Sequence, residues 1–126
     1  MPTAKTRLLL AEDDPAMVEL LRWTFEKEGF EVVGTASGEE ALLLASESPP
    51  DIVILDWMLE ELSGIEVCRR LRSDADTEPV PIIAVTGAPD AMRSDGCLAD
   101  AVLSKPCELD TFLAAARLFL RPVAEA

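Results

Sequence analysis

Short apolar runs alternate along the chain with stretches whose apolar positions recur every three or four residues. Arg7 to Ala11 (RLLLA) predicts a buried strand. Asp14 then reads as an N-cap with Pro15 at the first helical position, and Met17, Leu21 and Phe25 carry the helical spacing to Glu28, where Gly29 stops it. A second strand is expected at Glu31–Ala36. Ser37 with Glu40 three residues on is a capping-box pattern that opens a helix through Ala41, Leu42 and Ala45, ended by Pro49-Pro50. Asp51–Asp56 (DIVILD) is continuously apolar between acidic ends, as in a strand covered on both faces. A loop from Trp57 to Leu62 follows, and Ser63 with Glu66 signals another helix start, running to about Arg72. Pro79-Val80-Pro81 leads into a fourth strand, Ile82–Val85, which ends at Thr86-Gly87. Pro89 to Ala99 has little periodicity and predicts a short or irregular fourth helix. Ala101–Ser104 is a short fifth strand. A last helix spans Glu108 to about Arg121 with Leu109, Phe112, Leu113 and Ala116 on one face, and Pro122 stops it. Five strands alternating with five helices predict an α/β fold with a doubly wound parallel sheet, right-handed crossovers placing helices on both faces.

Composition narrows the function. A length of 126 residues fits one domain, and 49% hydrophobic residues fit a packed core. The net charge of −13 disfavours binding to nucleic acid and to anionic membranes, and suits a basic partner surface. With no histidine, His-based metal sites and Ser-His or Cys-His nucleophile pairs are excluded. The three cysteines, Cys68, Cys97 and Cys107, form no C-x-x-C pair and predict no disulfide framework. No signal-peptide stretch opens the chain and no apolar run reaches membrane-spanning length, so a reducing cytoplasmic setting is expected.

In open α/β sheets, ligands bind beyond the carboxyl ends of the strands. The first strand ends in Glu12-Asp13-Asp14, the third in Asp56, the fourth in Thr86 and the fifth in Lys105, whereas Thr35-Ala36-Ser37 after the second adds nothing comparable. Two like charges about 4 Å apart repel by about 1 kcal/mol in water and roughly 4 kcal/mol at an effective dielectric near 20. Clustered carboxylates must therefore take up protons or capture a cation. Hard oxygens without thiol or imidazole select Mg²⁺, or Mn²⁺, over zinc. Lys105 can bind a phosphoryl oxygen as a point charge, the Thr86 hydroxyl can donate to another, and Asp56 is a plausible nucleophile, because carboxylates form aspartyl-phosphates. Gly87 leaves room for the group to dock.

LLLAEDD at 8–14, DIVILDWMLEELSG at 51–64, PIIAVTG at 81–87 and LSKP at 103–106 follow one another in order along essentially the whole chain. On these motifs the sequence resembles the receiver domain of bacterial two-component response regulators. The resemblance implies a flavodoxin-like five-stranded sheet of order 2-1-3-4-5. It implies Asp56 as phosphoacceptor, Asp13 as a direct Mg²⁺ ligand, Glu12 as a ligand largely through water, and the Met58 backbone carbonyl as the remaining protein ligand. Thr86 and Lys105 would contact the phosphoryl group, and the Lys105-Pro106 bond would be cis. The donor would be a phosphohistidine on a sensor histidine kinase or phosphotransfer protein, and signalling would pass to a downstream protein. The chain would be no enzyme beyond a weak autophosphatase. Residues 1–126 would form one receiver domain, core about 6–121, with no output domain; a homodimer is allowed.

Three positions depart from the resembled pattern. Val102 stands where an aromatic residue is usual, the Thr86–Lys105 interval is short, and Glu60 replaces a common proline. The resemblance implies that Met58 and Ala88 flank the site, and neither can orient an attacking water, which predicts slow autodephosphorylation. Val102 and the reduced fourth helix motivate a second reading, a receiver-fold adaptor insensitive to phosphorylation. A hydrolase of similar architecture ranks last, since no second acid or base is placed to release phosphate. Asp14 reads as a cap, Trp57 as half-buried packing or a docking contact, Trp23 as exposed or partner-facing, and the cysteines as packing or surface thiols.

Overall fold

In the computed structural model, residues 5–59, 62–88 and 98–120 are described. The elements are β1 (Arg7–Ala11), α1 (Pro15–Lys27), β2 (Glu31–Thr35), α2 (Gly38–Glu47), β3 (Ile52–Asp56), α3 (Gly64–Ser73), β4 (Ile82–Thr86), β5 (Ala101–Ser104) and α4 (Leu109–Phe119). All strand pairings are parallel, in the order β2-β1-β3-β4-β5. The α/β architecture and flavodoxin-like order therefore stand as expected.

Local chemistry sets the element ends. The Asp14 carboxylate accepts from the Ala16 N–H at 3.0 Å, with Pro15 opening α1. Gly29 leaves α1 at φ 95°, a left-handed conformation that costs a side-chain-bearing residue more. Ser37 Oγ accepts from the Glu40 N–H at 3.2 Å. The reciprocal half of that capping box is relayed: the Ser37 N–H donates to Thr35 Oγ1 at 3.1 Å, and the Thr35 hydroxyl donates to Glu40. Ser63 caps α3, but Glu66 turns outward to Arg69 and Arg70, so only half of the second expected capping box forms.

The sheet packs on both faces because successive strand residues point to opposite sides. Leu9, Val53, Leu55, Ile82 and Ala84 meet Ala41, Val67 and Leu71 of α2 and α3 on one face. Leu8, Leu10, Ile54, Ile83 and Val85 meet Leu21 and Phe25 of α1 and Phe112 of α4 on the other. β3 and β4 are buried throughout.

Strand limits differ slightly from expectation. β2 stops at Thr35 rather than Ala36, where the Ser37 cap takes over, and β3 begins at Ile52 rather than Asp51. β4 extends to Thr86 because the Thr86 carbonyl accepts from the Lys105 N–H at 2.8 Å, continuing the ladder to β5. Four helices are present among the described residues. The helix expected over 89–99 falls largely on residues 89–97, which lie outside them, as do Glu60, Cys97 and the Arg121–Pro122 stop. Trp57 is buried in the α2–α3 side of the core rather than half-exposed, while Trp23 is exposed under the Lys27 ammonium, 4.1 Å from its ring centroid. Among the described residues, no helix is long and apolar enough to cross a membrane.

Candidate functional site

The carboxyl ends of β1, β3, β4 and β5 lie side by side, so residues as far as 93 positions apart in sequence, Glu12 and Lys105, share one edge. β3 carries Asp56 to that edge as its last residue, and Glu12 and Asp13 directly follow β1. Carboxylate oxygens of Glu12, Asp13 and Asp56 lie within 4.8 Å of one another; Glu12 and Asp56 are buried and Asp13 is exposed. Lys105, one residue beyond β5, reaches back with its ammonium nitrogen 3.1 Å from Asp56 Oδ2 and 3.5 Å from Glu12 Oε1. The Lys105-Pro106 peptide is cis.

Each buried carboxylate also has a backbone partner. Asp56 Oδ1 accepts from the Met58 N–H at 3.0 Å, and Glu12 Oε2 accepts from the Asp14 N–H at 3.2 Å. Burial opposes ionisation of Asp56, but the Met58 N–H and the Lys105 ammonium outweigh it and hold this carboxyl below its usual range. Burial, reinforced by the Asp56 charge, pushes Glu12 up to about 7 despite the Asp14 N–H and Lys105. For Lys105, burial works against the charge, yet the Asp56 and Glu12 carboxylates keep its pKa raised. The site thus holds one buried carboxylate, Asp56, that is kept ionised, beside a second, Glu12, whose proton is retained up to about 7 chiefly by burial.

The remaining candidates arrive differently. Thr86 is buried at the end of β4, and its hydroxyl oxygen accepts from the Ala88 N–H at 3.0 Å. Thr86 thereby caps the turn that leaves β4. Met58 meets the cluster through its amide, while its side chain is 72% exposed. Asp14 caps α1, as expected. A cleft of about 520 Å³ opens beside the acids, lined by Asp13, Met17, Lys105, Cys107 and Phe112 among others. Cys107 packs against the α1–α4 side of the core, as expected, and also lines this cleft.

Gly64 is a further contributor whose reason is steric. A Cβ there would lie 2.7 Å from the Asp56 carbonyl oxygen and 2.6 Å from Trp57 Cα. Its N–H donates to the Trp57 carbonyl at 3.1 Å, closing the loop that leaves Asp56. The sequence carries one faint signal: glycine, a poor helix former, stands at the first position of a helix.

The response regulator receiver domain family matches residues 8–117. The phosphate regulon transcriptional regulatory protein PhoB of Rhizobium meliloti is 40% identical over 118 residues, covering 91% of this chain and 52% of PhoB; the chain thus spans about half the length of that relative. The polar-differentiation response regulator DivK of Brucella ovis is 36% identical over 118 residues, covering 90% of this chain and 94% of DivK. Among solved structures, the signal receiver domain of a signal transduction histidine kinase from Syntrophus aciditrophicus superposes with a TM-score of 0.86 at 29% identity, covering 96% of this chain and 94% of that one. The receiver domain of sensor histidine kinase PA1611 from Pseudomonas aeruginosa, with a magnesium ion coordinated in its active-site cleft, gives 0.86 at 25% identity, covering 93% and 98%.

Proposed function

The chain belongs to the response regulator receiver domain family of two-component signalling, and from that premise we propose that Asp56 accepts a phosphoryl group from a phosphohistidine on a sensor histidine kinase or phosphotransfer protein. The observation that carries this reading is the convergence of Lys105 on Asp56 within the acidic cluster. In the transfer, an Asp56 carboxylate oxygen attacks phosphorus as the bond to the donor imidazole nitrogen breaks, and the electron pair of that bond returns to the imidazole. Asp56 is ionised for this role. The Lys105 ammonium, released from Asp56 Oδ2, pairs with an incoming phosphoryl oxygen, and the Thr86 hydroxyl donates to another.

The residues present fit a hard divalent cation: oxygens of three carboxylates lie within 4.8 Å of one another, two of the residues are buried, and every candidate ligand atom is an oxygen. Asp13, Asp56 and the Met58 carbonyl would hold Mg²⁺, or Mn²⁺, with Glu12 engaged largely through water; the magnesium in the PA1611 neighbour supports this. The cation supplies neutralisation of the phosphoryl oxygens. The protein acts as a cytoplasmic phosphorylated switch that signals by binding a protein, with no turnover beyond slow loss of its own phosphate. The side chains of Met58 and Ala88 carry no carboxylate or amide to orient water.

Mass spectrometry after treatment with a small-molecule phosphodonor and Mg²⁺ tests the reading. Wild type should gain one phosphate that persists well beyond seconds, and Asp56→Asn should gain none. The half-buried Val102, paired with Ala84 across the β4–β5 ladder, favours a second reading, a phosphorylation-insensitive adaptor. A wild-type protein that takes up no phosphate, and whose resonances ignore Mg²⁺ with beryllofluoride, would select the adaptor.

A further inference from the structure

Asp56 does not stand on its strand alone; the chain that returns from it to α3 rests on a second helix. A Cβ at Gly38, the first residue of α2, would lie 2.7 Å from the Leu62 carbonyl oxygen, 2.8 Å from Val67 Cγ2 and 3.2 Å from Leu62 Cβ. Leu62 immediately precedes the α3 cap Ser63, and Gly64 follows, itself against the Asp56 carbonyl and Trp57 Cα with no room for a methyl group. Gly38, Leu62, Gly64 and the Asp56–Trp57 backbone thus form one continuous stack. Its far end, through the Met58 N–H, holds Asp56 Oδ1.

The α2 end of the stack is pinned. The Ser37 N–H donates to Thr35 Oγ1 at 3.1 Å, Ser37 Oγ caps the Glu40 N–H at 3.2 Å, and the Ala41 N–H donates to the Ser37 carbonyl at 3.0 Å. Thr35 itself lies in the β1–β2 ladder opposite Ala11. A side chain at position 38 would therefore displace Leu62 rather than the helix. Backbone contacts below 3.0 Å cannot be absorbed by a rotamer change.

We propose that Gly38 is a positioning residue for the reaction at Asp56: its missing side chain lets α2 seat Leu62, and through Gly64 fixes the Asp56–Met58 backbone that holds the carboxylate and offers the Met58 carbonyl. This rests on the phosphoacceptor reading of Asp56. Gly38 lies outside the acidic motifs and touches none of the reacting atoms.

The experiment compares wild type with Gly38→Ala in the full chain, using Mg²⁺ alone as the probe. Amide resonances of Trp57, Met58 and Leu59 are recorded without metal, and Mg²⁺ affinity is read from Trp57 fluorescence in a Trp23→Phe background. Gly38→Ala should shift those amides and weaken Mg²⁺ binding roughly tenfold, the low end for disturbing groups that orient metal ligands. Ala45→Val, an overpacking change in the same helix away from Leu62, should lower thermal stability and leave Mg²⁺ affinity unchanged. Adding Val67→Ala to Gly38→Ala relieves only the side-chain contact, so full recovery of affinity would overturn the proposal, since the Leu62 carbonyl would then not be the atom displaced. Unshifted amides at 57–59 in folded Gly38→Ala would also overturn it. If wild type gains no phosphate, the Asp56 reading fails while the amide shifts still decide whether Gly38 positions this backbone.

Discussion

Glu12 is the residue where the site's electrostatics become measurable without any partner. Its carboxyl titrates near 7 in the folded protein against 4.5 for the free side chain, chiefly through burial. A raised folded-state pKa means that the folded chain holds the proton more tightly than the unfolded chain. The associated stability is fully present below about 4.5 and is lost as pH rises through 7. Glu12→Gln keeps the neutral shape at every pH. In chelator at pH 8 it should therefore be more stable than wild type, on the order of 2–3 kcal/mol given about 1.4 kcal/mol per pKa unit. The difference should close by pH 4.5. Urea unfolding of both proteins across this range checks the sign; a variant no more stable than wild type at pH 8 would mean that Glu12 is not desolvated as the structure has it. The same substitution should weaken Mg²⁺ binding, so stability and function are opposed at this position.

At the scale of elements, legibility followed locality. Asp14-Pro15, Ser37 with Glu40, Ser63 with Glu66, and the unbroken apolar β3 are local patterns whose cause lies within a few residues, and the elements start within a residue or two of them. The strand-end acids and Lys105 could be assigned to one edge because a parallel sheet puts every strand's carboxyl end on the same side. That same edge predicts that Lys105 meets Asp56 across 49 residues of sequence, as it does at 3.1 Å. The reasons for Gly38 and Gly64 could not be read, since they are distances to another segment's backbone. Arg72 is the plainest case. The sequence shows only a basic residue near a helix end, yet it donates to the carbonyls of Glu78 and Val80 at 2.7 Å each and of Leu98 at 3.1 Å, and to Asp100 Oδ2 at 2.7 Å. Asp100 Oδ2 in turn accepts from the Ile82 N–H at 2.8 Å, so α3 is tied to the entry of both β4 and β5. Arg72→Met keeps much of the aliphatic stem and strands several acceptors, at a cost on the order of 2–4 kcal/mol. Asp100→Asn should cost less, because the amide oxygen still accepts from Ile82. Chemical denaturation orders the two variants, and equal, negligible losses would show the network to be surface decoration.

For the whole molecule, the net charge of −13 makes the acidic site one part of a larger repulsion. Two effects of Mg²⁺ must then be separated. Any salt shortens the Debye length, from about 30 Å at 0.01 M to about 8 Å at 0.15 M, and relieves self-repulsion across the surface. Site binding adds a different term: a ligand that binds only the folded state stabilises it by about 2.7 kcal/mol at one hundred times its dissociation constant. Screening depends on ionic strength alone, whereas the site term depends on the three carboxylates gathered at the strand ends. Thermal melts in NaCl should therefore rise with ionic strength in wild type and in Asp13→Asn alike. MgCl₂ at matched ionic strength should raise the wild-type midpoint further, by several degrees, and should leave Asp13→Asn close to its NaCl value. Asp13 is the carboxylate to vary because it is exposed, so its replacement disturbs the core little. If the excess from Mg²⁺ were the same in both proteins, the cation would be acting on the diffuse charge of the surface, and the carboxyl edge of the sheet would have no claim to a specific site.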